Sequence, residues 1–321
     1  MSLQHILLCP GQGAQSVGMG RSWRNASPIA AAMFAHADQV VELESGVRLS
    51  SLCFDGPDER LNRTDASQPA LFLCGLACHA AMTEQGGETP VAGALGLSLG
   101  EYTALALAGV FTFEEGLRLV ATRGRLMQRA AEASQGGMVA LIGADEAKAN
   151  EVCATAAQGQ VLVPANFNAP GQIVLSGHAG ACDRAVTAAG TLGLRATRLT
   201  VAGAFHSPLM APAAEGMARA LEHVAFRPAR CPVWSNVTGK PHGHDADALK
   251  RLLVDQIVKP VRWDACCQDM LAWRKASGLE SSASLHELAP GSVLKGLMRR
   301  IDRAAEVTTH DTVEEPQRAK A

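Results

Sequence analysis

The chain has 321 residues, of which 47% are hydrophobic and 19% charged, and its formal net charge is −2. This length and composition are typical of a globular protein with one large or two smaller domains. A net charge so close to zero argues against general attraction to nucleic acid or to a membrane surface. The nine cysteines lack metal-binding spacings and the N-terminus has no basic segment, so we expect reduced thiols, no signal peptide and a cytoplasmic location.

The first part of the chain alternates apolar strands with helical segments. Hydrophobic periodicity and capping residues predict, in order, a strand at 6–9, a glycine-rich loop at 10–15, a helix at 27–41, a polar loop at 60–67, an apolar helix at 69–84 that starts on Pro69, a strand at 90–95, a helix at 102–108 and a helix from Thr112 to about residue 131.

The pattern changes after the break at residues 134–137. We predict strands at 138–142, 161–167, 172–176 and 196–201, and helices at 145–157 and 179–192. The order β-α-β-β-α-β is that of a ferredoxin-like unit. We therefore predict a small ferredoxin-like domain, residues 135–203, inserted into a larger α/β domain.

Residues 1–134 and 204–303 are expected to form this discontinuous larger domain, an α/β-hydrolase-like fold with a parallel sheet. Its second part is predicted to contain helices at 208–224, 245–257, 261–273 and 292–301 and strands at 233–236 and 285–288. Residues 304–321 are polar without periodicity, and we expect a disordered tail there.

One motif joins a predicted strand to a predicted helix: Gly96-Leu97-Ser98-Leu99-Gly100-Glu101. A strand, a tight turn with flanking glycines and a helix are the context of a G-x-S-x-G nucleophile elbow. The free N–H groups at the start of that helix would favour a developing oxyanion. A chance match of common residues is the alternative reading.

A serine nucleophile needs a base, and the chain has ten histidines. His79 reads as a core residue of an apolar helix, and His286 lies in a strand beside Glu287. His206 lies at the return from the small domain to the large one, where sites often form, and is a candidate base. The other seven read as surface residues: His5, His36, His178, His223, His242, His244 and His310.

Two further residues are candidates for binding. The loop that holds Gln12 could offer backbone N–H groups to an oxyanion beside that of Leu99, although such loops also bind phosphate or simply turn. Arg123 lies in a mostly apolar helix. It could be solvated or salt-bridged; if it is buried beside Ser98, its planar fork suits a substrate carboxylate.

Eight motifs in order resemble the malonyl-CoA:acyl-carrier-protein transacylases of bacterial fatty-acid synthesis, a family shared with polyketide synthase acyltransferase domains. The resemblance covers about residues 5 to 302. It rests on Pro10-Gly11-Gln12-Gly13-Ala14-Gln15, Ser67-Gln68-Pro69-Ala70, the elbow motif, Arg123-Gly124-Arg125-Leu126-Met127, Asn166-Phe167-Asn168-Ala169-Pro170-Gly171-Gln172, Ala204-Phe205-His206-Ser207, Ser235-Asn236-Val237, and Gln256 with Pro260-Val261-Arg262-Trp263.

The resemblance implies transfer of malonyl from malonyl-CoA to the phosphopantetheine thiol of acyl carrier protein, without a metal or a cofactor of the enzyme's own. Partners among nucleic acids or membranes are not expected. It assigns these roles: Ser98 as nucleophile, His206 as base oriented by a carbonyl near Gln256, backbone N–H groups of Gln12 and Leu99 as oxyanion hole, Arg123 as partner of the malonyl carboxylate, Phe205 as selector for malonyl, and Gln68 and Asn168 lining the site.

Leu97 departs from the family, which usually has histidine there, and this leaves fine tuning of rate or substrate open. Alternatives are a malonyltransferase of a polyketide synthase or malonate decarboxylase system, a serine esterase or thioesterase with Asp145 or Asp183 as its acid, and a non-enzymatic binding protein. Carrier proteins are acidic, so we expect docking residues among Arg195, Arg198, Lys259, Arg262, Lys295, Arg299 and Arg300.

Overall fold

The computed structural model describes residues 3–313, which form an α/β structure with two separate four-stranded sheets. The strands are β1 (Gln4–Cys9), β2 (Val91–Gly96), β3 (Gly136–Ile142), β4 (Leu162–Ala169), β5 (Gln172–His178), β6 (Arg195–Arg198), β7 (Ala283–Leu288) and β8 (Val307–His310).

A short 3-10 turn at Pro208–Met210 precedes the tenth of the helices. In chain order the helices are α1 (Arg21–Ala26), α2 (Pro28–Val40), α3 (Leu49–Asp55), α4 (Asp58–Leu61), α5 (Thr64–Gly86), α6 (Leu99–Leu107), α7 (Phe113–Ser134), α8 (Glu146–Ala157), α9 (Ala179–Thr191), α10 (Ala211–Glu222), α11 (Ala246–Val258), α12 (Trp263–Ala276) and α13 (Val293–Ile301).

The first sheet is parallel throughout, in the order β2-β1-β7-β8. Successive residues of β1 enter two different hydrophobic clusters: Leu7 and Cys9 belong to one, and Ile6 and Leu8 to the other. All four are fully buried. A strand that is apolar on both faces is typical of a parallel sheet covered by helices on both sides, as the sequence predicts.

The second sheet is antiparallel, in the order β4-β5-β3-β6. Between β3 and β6 the chain runs strand, helix, strand, strand, helix, strand. Helices α8 and α9 close a third cluster that includes Val139, Leu141 and Leu175. An isolated bridge between Asn166 and Val261 connects β4 to the segment before α12. This contact places β4 of the second sheet beside the segment that leads into α12.

The predicted loop at residues 60–67 is wrong, because α4 ends at Leu61 and α5 begins at Thr64. Pro69 consequently lies inside α5 and not at its first position. Thr64 is polar because it binds distant parts of the protein: it is fully buried, its Oγ1 accepts from Gln12 Nε2 at 3.3 Å, and its backbone N–H donates to Gln128 Oε1 at 2.9 Å. Tertiary contacts here override the local pattern.

The strand predicted at 233–236 is also wrong. Val233 makes only an isolated bridge to Ala94, and the N–H of Ser235 then donates to the carbonyl of Lys240 in a turn. This turn takes the chain away from the sheet edge after one pairing.

The tail predicted for residues 304–321 is wrong where the structure describes it. Val307–His310 forms β8, which pairs with β7, and Val307 is buried in a hydrophobic cluster. Three β-branched residues in succession suit a strand, although too few of them are apolar to give a sequence signal. Residues 314–321 lie outside the described part of the chain. Across residues 3–313, the helices are all too short or too polar to traverse a bilayer.

Candidate active site

Ser98 lies at the turn between β2 and α6, with φ 52° and ψ −99°. A Cβ atom on Gly96 would lie 1.8 Å from the carbonyl carbon of Gly100, and one on Gly100 would lie 2.1 Å from the Cys9 carbonyl oxygen. Only glycine fits at either position, because the turn brings β1, β2 and the start of α6 into backbone contact. The predicted strand–turn–helix is confirmed, with the serine in a strained conformation at its apex.

The hydroxyl of Ser98 faces the imidazole of His206, whose Nε2 lies 2.8 Å from Oγ. On the other side of the ring, Nδ1 lies 2.7 Å from the backbone carbonyl oxygen of Gln256. A carbonyl only accepts, so Nδ1 carries the proton and Nε2 has a free lone pair. In this tautomer the imidazole can accept the hydroxyl proton of Ser98.

The pKa of His206 is lowered to about 4, chiefly by burial and also by the positive charge of Arg123, while the hydrogen bond to the Gln256 carbonyl acts in the opposite direction. His206 is 4% exposed and, like Ser98, has a positive φ, here 57°. The ring is therefore neutral at neutral pH, which is the form that a general base requires.

Arg123, on α7, is 1% exposed and lies beside the same hydroxyl. Its Nη2 donates to Ser98 Oγ at 3.1 Å and to Gln256 Oε1 at 2.8 Å, and its Nη1 donates to Gln68 Oε1 at 2.8 Å. All these partners are uncharged, and Arg123 Nε is buried without a hydrogen bond among the described residues. A buried guanidinium without a contacting carboxylate is suited to bind an anion.

Gln256, on α11, connects these groups. Its backbone carbonyl holds His206, its Oε1 accepts from Arg123, and its Nε2 donates to the Ser98 carbonyl at 2.9 Å and to Glu101 Oε2 at 2.7 Å. The family resemblance placed Gln256 among the substrate-binding residues and connected it with the orientation of the histidine. Its contacts with the arginine and with Glu101 were not expected.

Sequence reasoning gave no role to Asn236 and Glu101, although both lie in the quoted motifs, and it placed His242 wrongly. Asn236 Oδ1 accepts from the Ser98 N–H at 2.6 Å, and fully buried Glu101 accepts from the Asn236 N–H at 3.1 Å. His242, interpreted as a surface residue, has a side chain that is 3% exposed and lies 2.7 Å from Glu101 Oε1. The available signal was Glu101 itself, a lone acid followed by an apolar helix.

The backbone N–H groups of Gln12 and Leu99 make no hydrogen bond within residues 3–313. Both residues line a cavity of about 650 Å³ that opens over Ser98. The other predicted site residues also line this cavity, except Gln256, which is fully buried and does not line it. They are Gln68, Ser98, Arg123, Asn168, Phe205 and His206, and Leu97 lines the cavity as well. Asn168 Oδ1 is buried there without a partner in the described chain.

The acid that a serine esterase would need is not near His206. Asp145 accepts from the Lys148 N–H at the start of α8, and Asp183 lies 3.6 Å from the exposed Arg198. Within residues 3–313 no three histidine, cysteine, aspartate or glutamate side chains are grouped so that they could hold a metal ion. The arrangement is therefore a serine–histidine dyad with an adjacent buried cation.

Residues 6–313 match the family model of the acyl transferase domain. The chain belongs to this acyltransferase family. It is 40% identical to the malonyl CoA-acyl carrier protein transacylase of Escherichia coli K12 over 93% of both chains.

Two solved structures show the same fold. The malonyl-CoA:acyl carrier protein transacylase of Xanthomonas oryzae superposes with a TM-score of 0.88 at 41% identity, covering 97% of this chain and 96% of that one. PlMCAT, solved in complex with AntF, a type II polyketide synthase acyl carrier protein, gives 0.88 at 37% identity, with 97% and 96% covered.

Proposed function

We propose that this protein transfers the malonyl group from malonyl-CoA to the phosphopantetheine thiol of acyl carrier protein, through a malonyl ester on Ser98. The observation that carries the proposal is Arg123, a buried cation with only neutral partners, 3.1 Å from the nucleophile. In a malonyl thioester one methylene separates the carboxylate from the attacked carbonyl, so one substrate can meet both Ser98 and Arg123.

In the first half-reaction, Ser98 Oγ attacks the thioester carbonyl carbon while His206 Nε2 takes the hydroxyl proton. The carbonyl electrons move onto oxygen, where the backbone N–H groups of Gln12 and Leu99 stabilise the charge. The oxyanion then collapses, the C–S bond breaks, and the CoA thiolate takes the proton from His206. Malonyl remains esterified to Ser98, with its carboxylate held by Arg123.

In the second half-reaction, the carrier-protein thiol gives its proton to His206 and attacks the ester carbonyl. Collapse of the second oxyanion breaks the C–O bond, and Ser98 recovers the proton. Because CoA leaves before the second thiol enters, the kinetics are ping-pong.

Five further residues shape the site in this proposal. Gln68 and Gln256 hold the guanidinium of Arg123 through their side-chain oxygens. Phe205 occupies the space that an α-methyl group would need, and Asn168 offers its unpaired amide oxygen to the acyl or pantetheine chain. Leu97 adds apolar surface to the cavity wall, where the family usually has an imidazole.

We also propose that residues 135–203 are a ferredoxin-like domain inserted between residues 1–134 and 204–303. The order and antiparallel pairing of β3 to β6 support this division. The end of β4, residues 199–202 after β6 and the return at Phe205 line the cavity. A cytoplasmic location is supported by the nine cysteines, all of them free and buried.

The carrier protein is proposed as the partner because PlMCAT forms a complex with an acyl carrier protein. None of the seven predicted docking residues lines the cavity, and three of them pair with acids: Arg198 with Asp183, Lys259 with Asp255 and Arg262 with Glu146. Arg195, Lys295, Arg299 and Arg300 are thus the candidates that remain for docking. Charge reversal at any docking residue is expected to raise KM for carrier protein.

Mass spectrometry tests the proposal. Malonyl-CoA should add one malonyl group to the peptide that contains Ser98, and holo acyl carrier protein should remove it. Hydrolysis of the ester in water at the same rate as transfer would instead favour a thioesterase. Type II polyketide synthesis is the second candidate pathway because PlMCAT serves it. Equal kcat/KM values for the carrier proteins of fatty-acid and polyketide synthesis would support a role in both pathways.

A further inference from the structure

Glu101 has an unusual place among the acidic residues. It lies in the first turn of α6, three residues after the nucleophile, and it is fully buried. Three donors surround its carboxylate: the Asn236 N–H at 3.1 Å, the Gln256 side-chain amide at 2.7 Å and the His242 imidazole at 2.7 Å. A buried carboxylate that keeps its charge requires such a complete set of donors.

The carboxylate decides how Gln256 is oriented. An ionised carboxylate only accepts, so the Gln256 amide must present its NH₂ group to Glu101. The oxygen of that amide then points the other way, to Arg123 Nη2 at 2.8 Å. With the opposite orientation, the amide NH₂ would face the guanidinium and an oxygen would face the carboxylate. Both contacts would be repulsive.

Glu101 also balances the charge of Arg123 without touching it. Burial lowers the pKa of Arg123, and the negative charge of Glu101 acts against this shift. The guanidinium itself contacts only neutral oxygens. Its charge is thereby compensated through Gln256, and the face of the guanidinium that carries Nε–H has no partner among the described residues. A carboxylate in direct contact would occupy that face.

A second connection runs to the nucleophile and the base. Asn236, held by Glu101, accepts from the Ser98 N–H and donates to the Gly96 carbonyl, so it fixes both sides of the elbow. Gln256 fixes the tautomer of His206 through its backbone carbonyl. One buried carboxylate is therefore linked by a single intermediate residue to every reacting group of the site.

We propose that Glu101, paired with His242, is a positioning residue that orients Gln256 and thereby keeps Arg123 aimed at the substrate carboxylate. The inference rests on the proposed malonyl transfer and adds the group that maintains selectivity. Glu101 touches neither substrate nor reacting atoms.

Glu101→Gln is the first variant. It offers one acceptor oxygen to three donors, so Gln256 loses its fixed orientation. Since misplacement of a binding group by about 1 Å costs on the order of 100-fold, we expect kcat/KM for malonyl-CoA to fall by about that factor. Transfer from acetyl-CoA, which has no carboxylate for Arg123, should fall much less. KM for malonyl-CoA should rise more than kcat falls.

Glu287→Gln is the matched control. Glu287 is also fully buried and also accepts hydrogen bonds from two backbone N–H groups, those of Leu294 and Lys295, but it has no contact with the dyad. It should lower the melting temperature and leave the malonyl-to-acetyl ratio unchanged. An equal loss of that ratio in both variants would mean that any buried glutamate matters, and would overturn the proposal.

A double-mutant cycle with Gln256→Leu decides whether Glu101 acts through Gln256. That change removes the side-chain link and keeps the backbone carbonyl that holds His206. The proposal expects the double variant to discriminate no worse than the poorer single one, whereas additive losses would overturn it. If Glu101→Gln does not fold, His242→Leu replaces it in the cycle, with the same expected direction and a smaller loss.

The reference measurement separates this inference from the proposed function. Wild-type protein that treats malonyl-CoA and acetyl-CoA equally would contradict malonyl transfer. In that case the double-mutant cycle would be measured on the overall transfer rate. Non-additive losses at positions 101 and 256 would still support the positioning role, and additive losses would overturn it. Wild-type protein that discriminates, with a Glu101→Gln variant that discriminates as well, would overturn the positioning role alone.

Discussion

The structure contains two serine–histidine pairs with nearly the same geometry. Ser98 Oγ lies 2.8 Å from His206 Nε2 in the cavity, and Ser284 Oγ lies 2.7 Å from His286 Nε2 on β7. In both pairs burial is the largest cause that lowers the histidine pKa, in each case to about 4. By distance and by acidity the two pairs cannot be told apart.

Their surroundings differ in every respect that catalysis needs. Ser284 lies on a regular strand and is exposed, whereas Ser98 has a positive φ at the start of a helix. His286 Nδ1 faces the imidazole of His310, which can donate or accept, so its tautomer is not dictated as that of His206 is. The comparison teaches that a serine close to a histidine is a nucleophile only when the tautomer of the histidine is fixed and when a cation and free backbone N–H groups lie nearby.

The largest expected effect separates the two serines. Ser98→Ala should lower kcat on the order of 10⁶-fold, because the group that forms the covalent intermediate is lost. Ser284→Ala should have no effect on transfer. Malonyl incorporation followed by mass spectrometry, with steady-state rates, measures both. Residual labelling of Ser98→Ala on the peptide with Ser284 would contradict the comparison.

Removal of the neighbouring cation should have the next largest effect. Arg123→Ala loses two charge-assisted hydrogen bonds to the substrate carboxylate, each worth about 1.5–3 kcal/mol, which predicts a fall of about 10²–10⁴-fold in kcat/KM for malonyl-CoA. Acetyl transfer should fall far less. Competition between the two CoA esters gives the ratio directly, and equal losses for both would show that the arginine does not bind the carboxylate.

The pH profile sharpens the comparison further. The dyad requires neutral His206, whose pKa is about 4, so kcat/KM should be nearly constant from pH 7 to 5 and fall tenfold per unit below 4. With an ordinary histidine pKa of about 6.5, activity at pH 5 would already be about 30-fold lower. Initial rates between pH 3.5 and 7, with recovery of activity on return to pH 7, distinguish these cases.

The smallest expected effect concerns His286. Its folded-state pKa of about 4 lies below the ordinary value of 6.5, so the unfolded chain binds the proton first as pH falls. Stability contributed by neutral His286 is complete above 6.5, falls between 6.5 and 4, and is constant below 4.

His286→Gln should therefore flatten the acid side of the stability profile. The ring is partly exposed, so we expect a change of only about 2–4 °C in melting temperature between pH 7 and 5. Calorimetry at both pH values measures it. The transfer rate at pH 7 is the control and should not change, since a lower rate would place the second pair in the reaction.

The sequence predicted the features that depend on nearby residues. The glycines around Ser98 exclude Cβ atoms within a few positions, and the capping box of Thr112 and Glu115 is likewise local. Both are readable from spacing. The partners of Gln256 are 155 and 158 residues away at Glu101 and Ser98, and no local pattern records them.

Two wrong predictions have the same origin. Residues 60–67 looked like a loop because the polar contacts of Thr64 are made with distant residues, Gln12 and Gln128. Residues 304–313 looked like a tail because β8 pairs with a strand that no short-range signal connects to it. In the same way, His206 stood out from the other histidines mainly through the family resemblance. Its neighbours Arg123 and Gln256 come from α7 and α11, and they are 133 residues apart in the chain.

The pairing of β8 with β7 determines what happens when the chain is shortened at its C-terminal end. Removal of everything after residue 303 would take away Val307 from its cluster and leave the backbone of β7 unpaired along one side. An open strand of this kind recruits other molecules into intermolecular sheets. The last ten described residues look expendable by composition, yet they pair with β7 on the side that faces away from β1 and bury Val307, so we expect a shortened chain to aggregate more readily.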